Sequence, residues 1–431
     1  MNNQYKQYLL QFKIILSIVI ISICFVSFSR ISVRRRTRPM SSLRQSKNEK
    51  KVILPRNKKT EQATLEQKVE PKSEVSAPVS IQAPVGKKEV QKNNFDIPIR
   101  VLLAENSMNT KQNLQLQSGK GFSVIYPDKQ TKILSDVLLR ITTDKKQIII
   151  NGKKTGQKSI FLKPLEQPVL FNNNAYAGCF AVTLDNGMVY VINHIPLEEY
   201  VECVLHVESW PGWSLAFNKL FCIVVRTYGV AKLLEERQIR KKRGLSMPYD
   251  IRNTNTHQTY KGSLRTGNFK QAVDETRGLI IAYNNKPILA MFDGCCGGVI
   301  PGHIKGIDFH KAPYLARNHP CHYCKDHKFY TWKLSFPLRD VEAVLKKEYK
   351  KLNRLRDIEI TGKDPAGLVT DVTLKGRSSI MLTGRKFKAL LKNNKSHTMV
   401  SLCFSLEKCG STITAHGKGH GHHMGLCQWG A

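Results

Sequence analysis

Acidic side chains are scarce in this sequence. Its 431 residues hold 33 Asp+Glu against 68 Lys+Arg, a formal net charge of +35. That excess implies a polyanionic neighbourhood: nucleic acid, anionic lipid or an acidic wall polymer. Cysteine is also sparse. Eleven in a chain of this length exclude a small disulfide scaffold, yet are too many to ignore. Zinc-finger, helix-turn-helix and RNA-binding signatures are all missing, so the charge is not read as nucleic-acid binding. No tandem repeat is visible. Only one long uncharged apolar run exists, residues 14–28. It is short for a spanning helix, which needs about 17–25 residues. No A-x-A cleavage site follows it, which favours an uncleaved signal-anchor over a removed signal peptide. Ile23 precedes Cys24 where lipid attachment would want a small residue. Arg30, Arg34, Arg35, Arg36 and Arg38 follow the run, whereas Lys6 and Lys13 are its only basic neighbours upstream. By the positive-inside tendency alone, that asymmetry would hold the body of the chain in the cytoplasm.

What is present divides the chain into three parts. Residues 1–29 form the membrane segment. Residues 30–96 read as a disordered linker. Over residues 30–95 it carries 17 basic and six acidic residues, holding +11 of the +35. It serves either as a solvated spacer or for adhesion to an anionic surface. From residue 97 the pattern becomes globular. Hydrophobic residues at 41% and charged residues at 23% supply a core and exclude a wholly disordered chain.

The fold class expected over 97–431 is α+β, with mixed short strands around a buried helix pair. Residues 99–104, 121–126, 137–141 and 147–152 read as strands. Residues 181–195 read as a hairpin turning at Asp185-Asn186-Gly187. A helix begins near Pro196, and its stripe Leu197, Val201, Val204 ends on Glu208. A second helix spans roughly 214–237, apolar all round from Leu220 to Val225, with Lys219 and Arg226 on one face. Further strands (280–283, 288–292, 358–361, 369–374) alternate with helices at 338–349 and 384–391.

The C-terminal text His416-Gly417-Lys418-Gly419-His420-Gly421-His422-His423-Met424-Gly425-Leu426-Cys427-Gln428-Trp429-Gly430-Ala431 is the most unusual. Its glycines oppose regular structure and allow close backbone approach. Its four histidines fit a metal-binding tract or, preferably, the glycine-rich wall of a ligand cleft with one histidine turned inward. Elsewhere, Cys321-His322-Tyr323-Cys324 has the spacing of a structural zinc site, with Cys295 and Cys296 as its candidate partners. Disulfides and free thiols remain open alternatives, and Cys403 with Cys409 is another candidate pair.

This C-terminal segment resembles the signature of the stage II sporulation protein D (SpoIID/LytB) family, approximately G-R-G-x-G-H-G-x-G-M-S-Q-x-G-A. Gly417, Gly419, Gly421, His422, Gly425, Gln428, Gly430 and Ala431 match it. Lys418 stands for its arginine, His423 for a glycine and Cys427 for its serine. Three further blocks resemble the family in order. One runs from Ile195-Pro196-Leu197-Glu198-Glu199-Tyr200-Val201 through Glu208, Trp213 and Lys219 to Arg226-Thr227-Tyr228. The next spans Asp250 to Gly262 and closes on Gln258, Tyr260, Lys261 and Gly262. The last joins Gly297-Gly298 to Ala312-Pro313-Tyr314-Leu315.

The resemblance implies a peptidoglycan lytic transglycosylase. Such an enzyme cleaves the N-acetylmuramic acid–N-acetylglucosamine bond of stem-peptide-free glycan strands and leaves a 1,6-anhydro end. The matching residues carry over as catalytic Glu208 and substrate-binding Lys219, Arg226, Tyr228, Gln258, Tyr260, His422 and Gln428. Trp429 joins Tyr228 and Tyr260 as a candidate for stacking on sugar rings. One carboxyl must act twice, as acid and then as base, where ordinary glycosidases use two. Glu208 must therefore start protonated, a state that Val204, Trp210 and Trp213 are expected to favour by excluding water.

No cofactor is required, with a structural zinc as the candidate addition. The implied partners are glycan strands, the inner membrane through the N-terminal segment, and amidase or division-complex proteins, without nucleic acid. The implied place is the bacterial envelope, with the domain facing the periplasm or exterior. Four departures stand out. Some relatives carry a Cys-x-x-x-His-Cys zinc site where this chain has Arg252, Thr256 and His257. A glutamine between the matched lysine and arginine is Phe221, and a glutamate before that lysine is Ala216. The chain also stops at Ala431, where relatives usually continue, so a truncated copy is considered. The competing readings are a non-catalytic peptidoglycan-binding partner and a metal hydrolase built on the histidine tail.

Overall fold

The structure is a computed structural model. It describes residues 97–108, 114–144, 146–210, 212–243, 247–262, 268–349, 354–392 and 398–431. The expected membrane segment and linker lie outside the described residues. No helix among the described residues is long and apolar enough to cross a membrane.

Two hydrophobic cores organise the described chain. The first is shared by two sheets and three helices. A seven-stranded sheet runs in the order Ile251–Arg252, Pro98–Ser107, Met188–Pro196, Cys179–Asp185, Ser159–Pro164, Phe122–Ile125, Thr131–Leu134. A six-stranded sheet runs Asn174–Tyr176, Val169–Phe171, Leu114–Gln117, Leu138–Thr143, Ile148–Ile150, Lys153–Lys154. Alternation explains which faces meet. Phe122 and Val124, Leu139 and Ile141, and Ile160 and Leu162 are all buried, while the residues between them are more exposed. Pro98–Ser107 lies inside its sheet, between Met188–Pro196 and Ile251–Arg252. It is covered on both faces: Val101 joins the main core, and Leu102 a small cluster with Tyr190 and Tyr249.

The expected hairpin forms with Asp185 opposite Met188. Asn186 (φ 45°) and Gly187 (φ 76°) both take the left-handed conformation that a tight two-residue hairpin turn demands. The chain then enters helix α1 (Leu197–Glu208) directly from Pro196. Helix α2 (Leu215–Arg243) is longer than its apolar stretch predicts. Phe221, Cys222, Val224 and Val225 bury its middle, and Leu220, expected inside, is 39% exposed. Helix α3 (Phe269–Glu275) packs across α1 and α2.

The second core lies between two three-stranded sheets and helices α4 (Leu338–Glu348) and α5 (Gly384–Lys392). One sheet places Thr412–Lys418 between Thr331–Pro337 and Cys403–Cys409. The other comprises Asp357–Lys363, Val369–Lys375 and Ser379–Thr383. Two expectations fail here. Residues 288–292 do not form a strand, and only Phe292–Asp293 pairs, with Leu426–Cys427. Gly417 does sit in a regular strand. A Cβ there would stand 2.1 Å from the Trp332 ring, so its glycine makes room for an indole rather than breaking the sheet.

One titratable group tests the first core. His194 sits in the hairpin against Phe161, ring centroids 5.1 Å apart. Burial, assisted by the nearby Arg100 cation, pushes its imidazole from 6.5 down to about 4. Between those values the unfolded chain binds the proton and the folded chain does not. Stability is therefore expected to rise with pH across about 4 to 6.5. In a urea titration at stepped pH, His194→Gln should reduce that slope, leaving the share of His422 and His423, whose burial also pushes them down to about 4. An unchanged slope would place the proton uptake elsewhere.

Candidate active site

Glu208 is the last residue of α1, and the helix stripe explains its position. Leu197, Val201 and Val204 are buried against the core, so the continuation of their row emerges half-buried at the core's edge. The helix stops because Ser209 turns extended (φ −91°, ψ 156°), with its hydroxyl donating to Asn218 Oδ1 at 2.7 Å. The Glu208 carboxylate accepts the Thr259 backbone N–H at 2.8 Å through Oε1. Its backbone carbonyl accepts from Gln428 Nε2 at 3.0 Å, across 220 residues of chain. Trp210 (64% exposed) and Trp429 (43% exposed) follow these two residues closely in sequence. Of the three expected water-excluding neighbours, Val204 is fully buried and Trp213 packs edge-on against Phe217 at 4.2 Å. Trp210 stands in solvent and excludes nothing.

The other residues expected to touch substrate divide sharply. Arg226 is 1% exposed and makes a two-pronged ion pair with Glu198 (Nε to Oε1 2.9 Å, Nη2 to Oε2 2.7 Å). Its Nη1 donates to the Leu279 carbonyl at 3.1 Å, and Glu198 Oε1 also accepts the Gly278 N–H. Gln258 (1% exposed) accepts the Tyr200 hydroxyl proton at 2.9 Å. Tyr260, fully buried, donates to Asn193 Oδ1 at 2.6 Å and stacks on Tyr200. Tyr228 is buried beside His257, and burial pushes its phenol up to about 12. The polar atoms expected to touch sugar on Arg226, Gln258 and Tyr260 are instead engaged with Glu198, Tyr200 and Asn193 inside the core, while Tyr228 is 8% exposed. These motifs are joined to each other. Glu198 holds Arg226 of its own block, and Tyr200 holds Gln258 of the next.

Lys219 shares Arg226's face, as the spacing predicts. It reaches the α3 segment too, pairing with Glu275 at a half-open site. Phe221, in place of a glutamine, is fully buried against Phe217 and Phe292.

The C-terminal segment leaves the second core on Thr412–Lys418 and crosses to the first. Cys295 and His420 bridge their backbones, then Leu426–Cys427 runs parallel to Phe292–Asp293. Gly425 (φ 77°) allows this approach, since a Cβ there would lie 1.9 Å from the Met291 carbonyl oxygen. His422 is half-buried, and its Nδ1 accepts the Met424 N–H at 3.1 Å. Burial pushes its imidazole down to about 4, so it is neutral at pH 7. His423, noted in the sequence only as standing where the resembling signature has a glycine, is the more deeply buried histidine at 1% exposure. Its N–H donates to Asp293 Oδ2 at 2.7 Å, and its Nδ1 lies 3.0 Å from the Cys296 carbonyl oxygen. Asp293 escaped the sequence reading. Its backbone carbonyl accepts the Gln428 N–H at 2.8 Å, so one residue holds the turn from His423 to Gln428 at both ends.

The cysteines gather where the C-terminal segment meets residues 294–330. The sulfurs of Cys296, Cys321, Cys324 and Cys427 all lie within 4.8 Å of one another. Among the described residues this is the one such group able to share a metal ion. The set expected from spacing is corrected at one position. Cys295 turns its thiol to the Cys324 carbonyl at 3.9 Å, and Cys427 takes the fourth place. The signal for it was in the text, as the cysteine standing where the resembling signature has a serine. Cys403 and Cys409 sit at opposite ends of one strand, so they do not pair. No disulfide joins any of the ten described cysteines. Arg252, Thr256 and His257 form no metal site: Arg252 pairs with Glu105 at 2.8 Å and donates its N–H to His257 Nδ1 at 2.9 Å.

Residues 185–283, which carry Glu208, Lys219, Arg226, Gln258 and Tyr260, match a family model described as SpoIID, Stage II sporulation protein. An uncharacterized protein of Brachyspira hyodysenteriae is 26% identical over 309 residues, covering 70% of this chain and 79% of that protein. Stage II sporulation protein D of Bacillus amyloliquefaciens is 26% identical over 253 residues, covering 56% of this chain and 68% of the relative. Its Bacillus subtilis counterpart is 25% identical over the same length and shares.

The buried ion pair yields a stability test. Arg226→Met leaves the Glu198 charge buried without its partner and should cost about 3–5 kcal/mol in urea denaturation. Pairing it with Glu198→Leu should restore much of that loss. Lys219→Met, at a half-open pair, should cost less than about 1 kcal/mol. Equal losses from Arg226→Met and Lys219→Met would contradict the division between scaffold and surface.

Proposed function

We propose that this chain, which belongs to the SpoIID family, is a peptidoglycan lytic transglycosylase acting on glycan strands freed of their stem peptides. The observation that carries this reading is the setting of Glu208. Its carboxylate is held from one side by Thr259 N–H, and its backbone is tied to Gln428 of the C-terminal signature. Two distant stretches of chain thus converge on one residue, with the exposed indoles of Trp210 and Trp429 following Glu208 and Gln428 in sequence.

The chemistry needs only that carboxyl. With Thr259 on Oε1, Oε2 carries the proton to the glycosidic oxygen. The bond between that oxygen and the muramic anomeric carbon breaks, and positive charge develops on the ring. The resulting carboxylate then removes the proton of the sugar's own 6-hydroxyl, whose oxygen closes onto the anomeric carbon. No water enters the product, and Glu208 ends protonated as it began. Ordinary glycosidases place a second carboxylate for the water or the covalent step. Here the intramolecular hydroxyl replaces it and gains the advantage of proximity.

The remaining residues support this step by position. Gln428 holds the end of α1. His422, neutral at pH 7, offers its ring as a hydrogen-bonding group rather than a charge. Trp210 and Trp429 present apolar faces for sugar rings, whose C–H edges suit aromatic surfaces. The chain's positive charge suits an anionic wall polymer, and the proposed setting is the bacterial envelope.

The test is a digest of intact and amidase-stripped glycan strands by the full chain, with products read by mass. Anhydromuramyl ends from stripped strands, abolished by Glu208→Gln, are the expected outcome. Gln428→Ala should lower turnover by roughly ten- to a hundredfold, the scale typical of groups that orient catalytic ones. Reducing ends would instead assign a hydrolase. Strands retained but uncut by both forms would assign a binding protein.

A further inference from the structure

Residues 294–330 need an account of what holds them. Between Phe292–Asp293 and Thr331–Pro337 the only regular elements are two single 3-10 turns, Pro301–His303 and Pro313–Leu315. Val299 and Ile304 of this stretch are buried in a small aliphatic cluster with Leu368. A second small cluster in it is made of sulfur atoms. Cys296 and Cys324 are buried there, and Cys321 and Cys427 are half-buried.

We propose that Cys296, Cys321, Cys324 and Cys427 bind one structural zinc ion, which fastens the C-terminal signature to the irregular 294–330 segment. Three observations carry this. The first is spacing. A zinc ion with four thiolates at about 2.3 Å in tetrahedral array separates their sulfurs by about 3.8 Å. The Cys296 and Cys324 sulfurs stand 3.6 Å apart, and every pair of the four lies within 4.8 Å. The second is the ligand count. Four cysteines close the tetrahedron and leave no open position, the form of structural rather than catalytic zinc.

The third is the surrounding shell. The Cys296 N–H donates to Cys427 Sγ at 3.3 Å. The N–H groups of Gly298 and Gly297 are directed at the sulfurs of Cys296 and Cys324. Backbone donors aimed at sulfur stabilise thiolate and orient it toward a cation. The glycines make this possible: Gly297 and Gly298 take φ of 61° and 75°, and a Cβ on Gly297 would lie 2.3 Å from the Gly419 nitrogen. Cys295, although adjacent in sequence, spends its thiol on a carbonyl and stays outside the set.

The ion joins three stretches of chain, of which two already meet where Phe292–Asp293 pairs with Leu426–Cys427, and it adds the Cys321–Cys324 turn to them. The last of them, Cys427, immediately precedes Gln428. For the Glu208 chemistry this consequence rests on the function proposed above; the metal site itself does not.

Metal content of the purified full chain decides the matter. Elemental analysis after dialysis against metal-free buffer should find one zinc per chain. Cys427→Ser should lose most of it, whereas Cys295→Ser and Cys409→Ser should keep it. Cobalt taken up in zinc's place should show the visible bands of a tetrahedral thiolate complex. Should Cys427→Ser fail to fold, alkylation of the unaltered chain gives the same answer. The four cysteines should resist reagent until a chelator strips the metal, and then react together. A metal-free chain, zinc retained by Cys427→Ser, iron in place of zinc, or disulfides among the four would overturn the assignment. These readouts do not involve glycan. A chain that binds zinc yet leaves every strand uncut would keep this site and remove the transglycosylase reading, and the converse result would do the reverse.

Discussion

The ion pair between Glu198 and Arg226 is the contact on which the rest of the site depends. Both side chains are almost fully removed from water, and each has further partners. Burying two charges is costly, and the cost is met only when geometry and additional hydrogen bonds are nearly complete. This pair meets that condition by drawing in the carbonyl of Leu279 and the N–H of Gly278. It therefore locks the first turn of α1, the middle of α2 and the segment after α3 into one arrangement. Glu208 stands at the far end of α1 and inherits its place from that lock. A charged pair suits this purpose because, unlike an apolar contact, it tolerates little sliding.

Much of the first core was legible because it obeys simple periods. Alternation along Phe122–Ile125 and Leu138–Thr143, the Asn186-Gly187 turn and the stripe of α1 follow from local chemistry. The strand Ser159–Pro164 and the sheet carrying the C-terminal segment were not read. Their partners lie far along the chain, and short apolar runs carry no mark of what they pair with. The existence of a second core was hidden for the same reason. Its α4 and α5 were visible as helices, but nothing local separates their burial from that of α1 and α2.

The site was legible in its position and less so in its roles. Glu208 was found from its place in the α1 stripe together with a resembling motif. Gln258, Tyr260 and Arg226 were assigned to substrate because polar residues in a motif invite that reading. Their burial shows another origin for a motif: polar groups that satisfy one another inside a core constrain one another as tightly as a ligand would. Asp293 and His423 illustrate the reverse. Asp293 was not read at all and His423 only as a departure from the signature, yet together they shape the turn that brings Gln428 to α1. Cys427 was visible only as a departure, and its meaning required the three other sulfurs to be placed in space.

The bond from Gln428 to the carbonyl of Glu208 also sets an order in time. The two residues are 220 positions apart. A ribosome adding about 5–20 residues per second needs roughly 10–45 seconds to travel between them. For most of that interval the nascent chain can hold α1, α2 and the buried ion pair while the signature segment does not yet exist. Assembly of the candidate site is thus deferred until long after its carboxyl group has been made. A chain released within that interval would carry Glu208 without the strand that completes its surroundings.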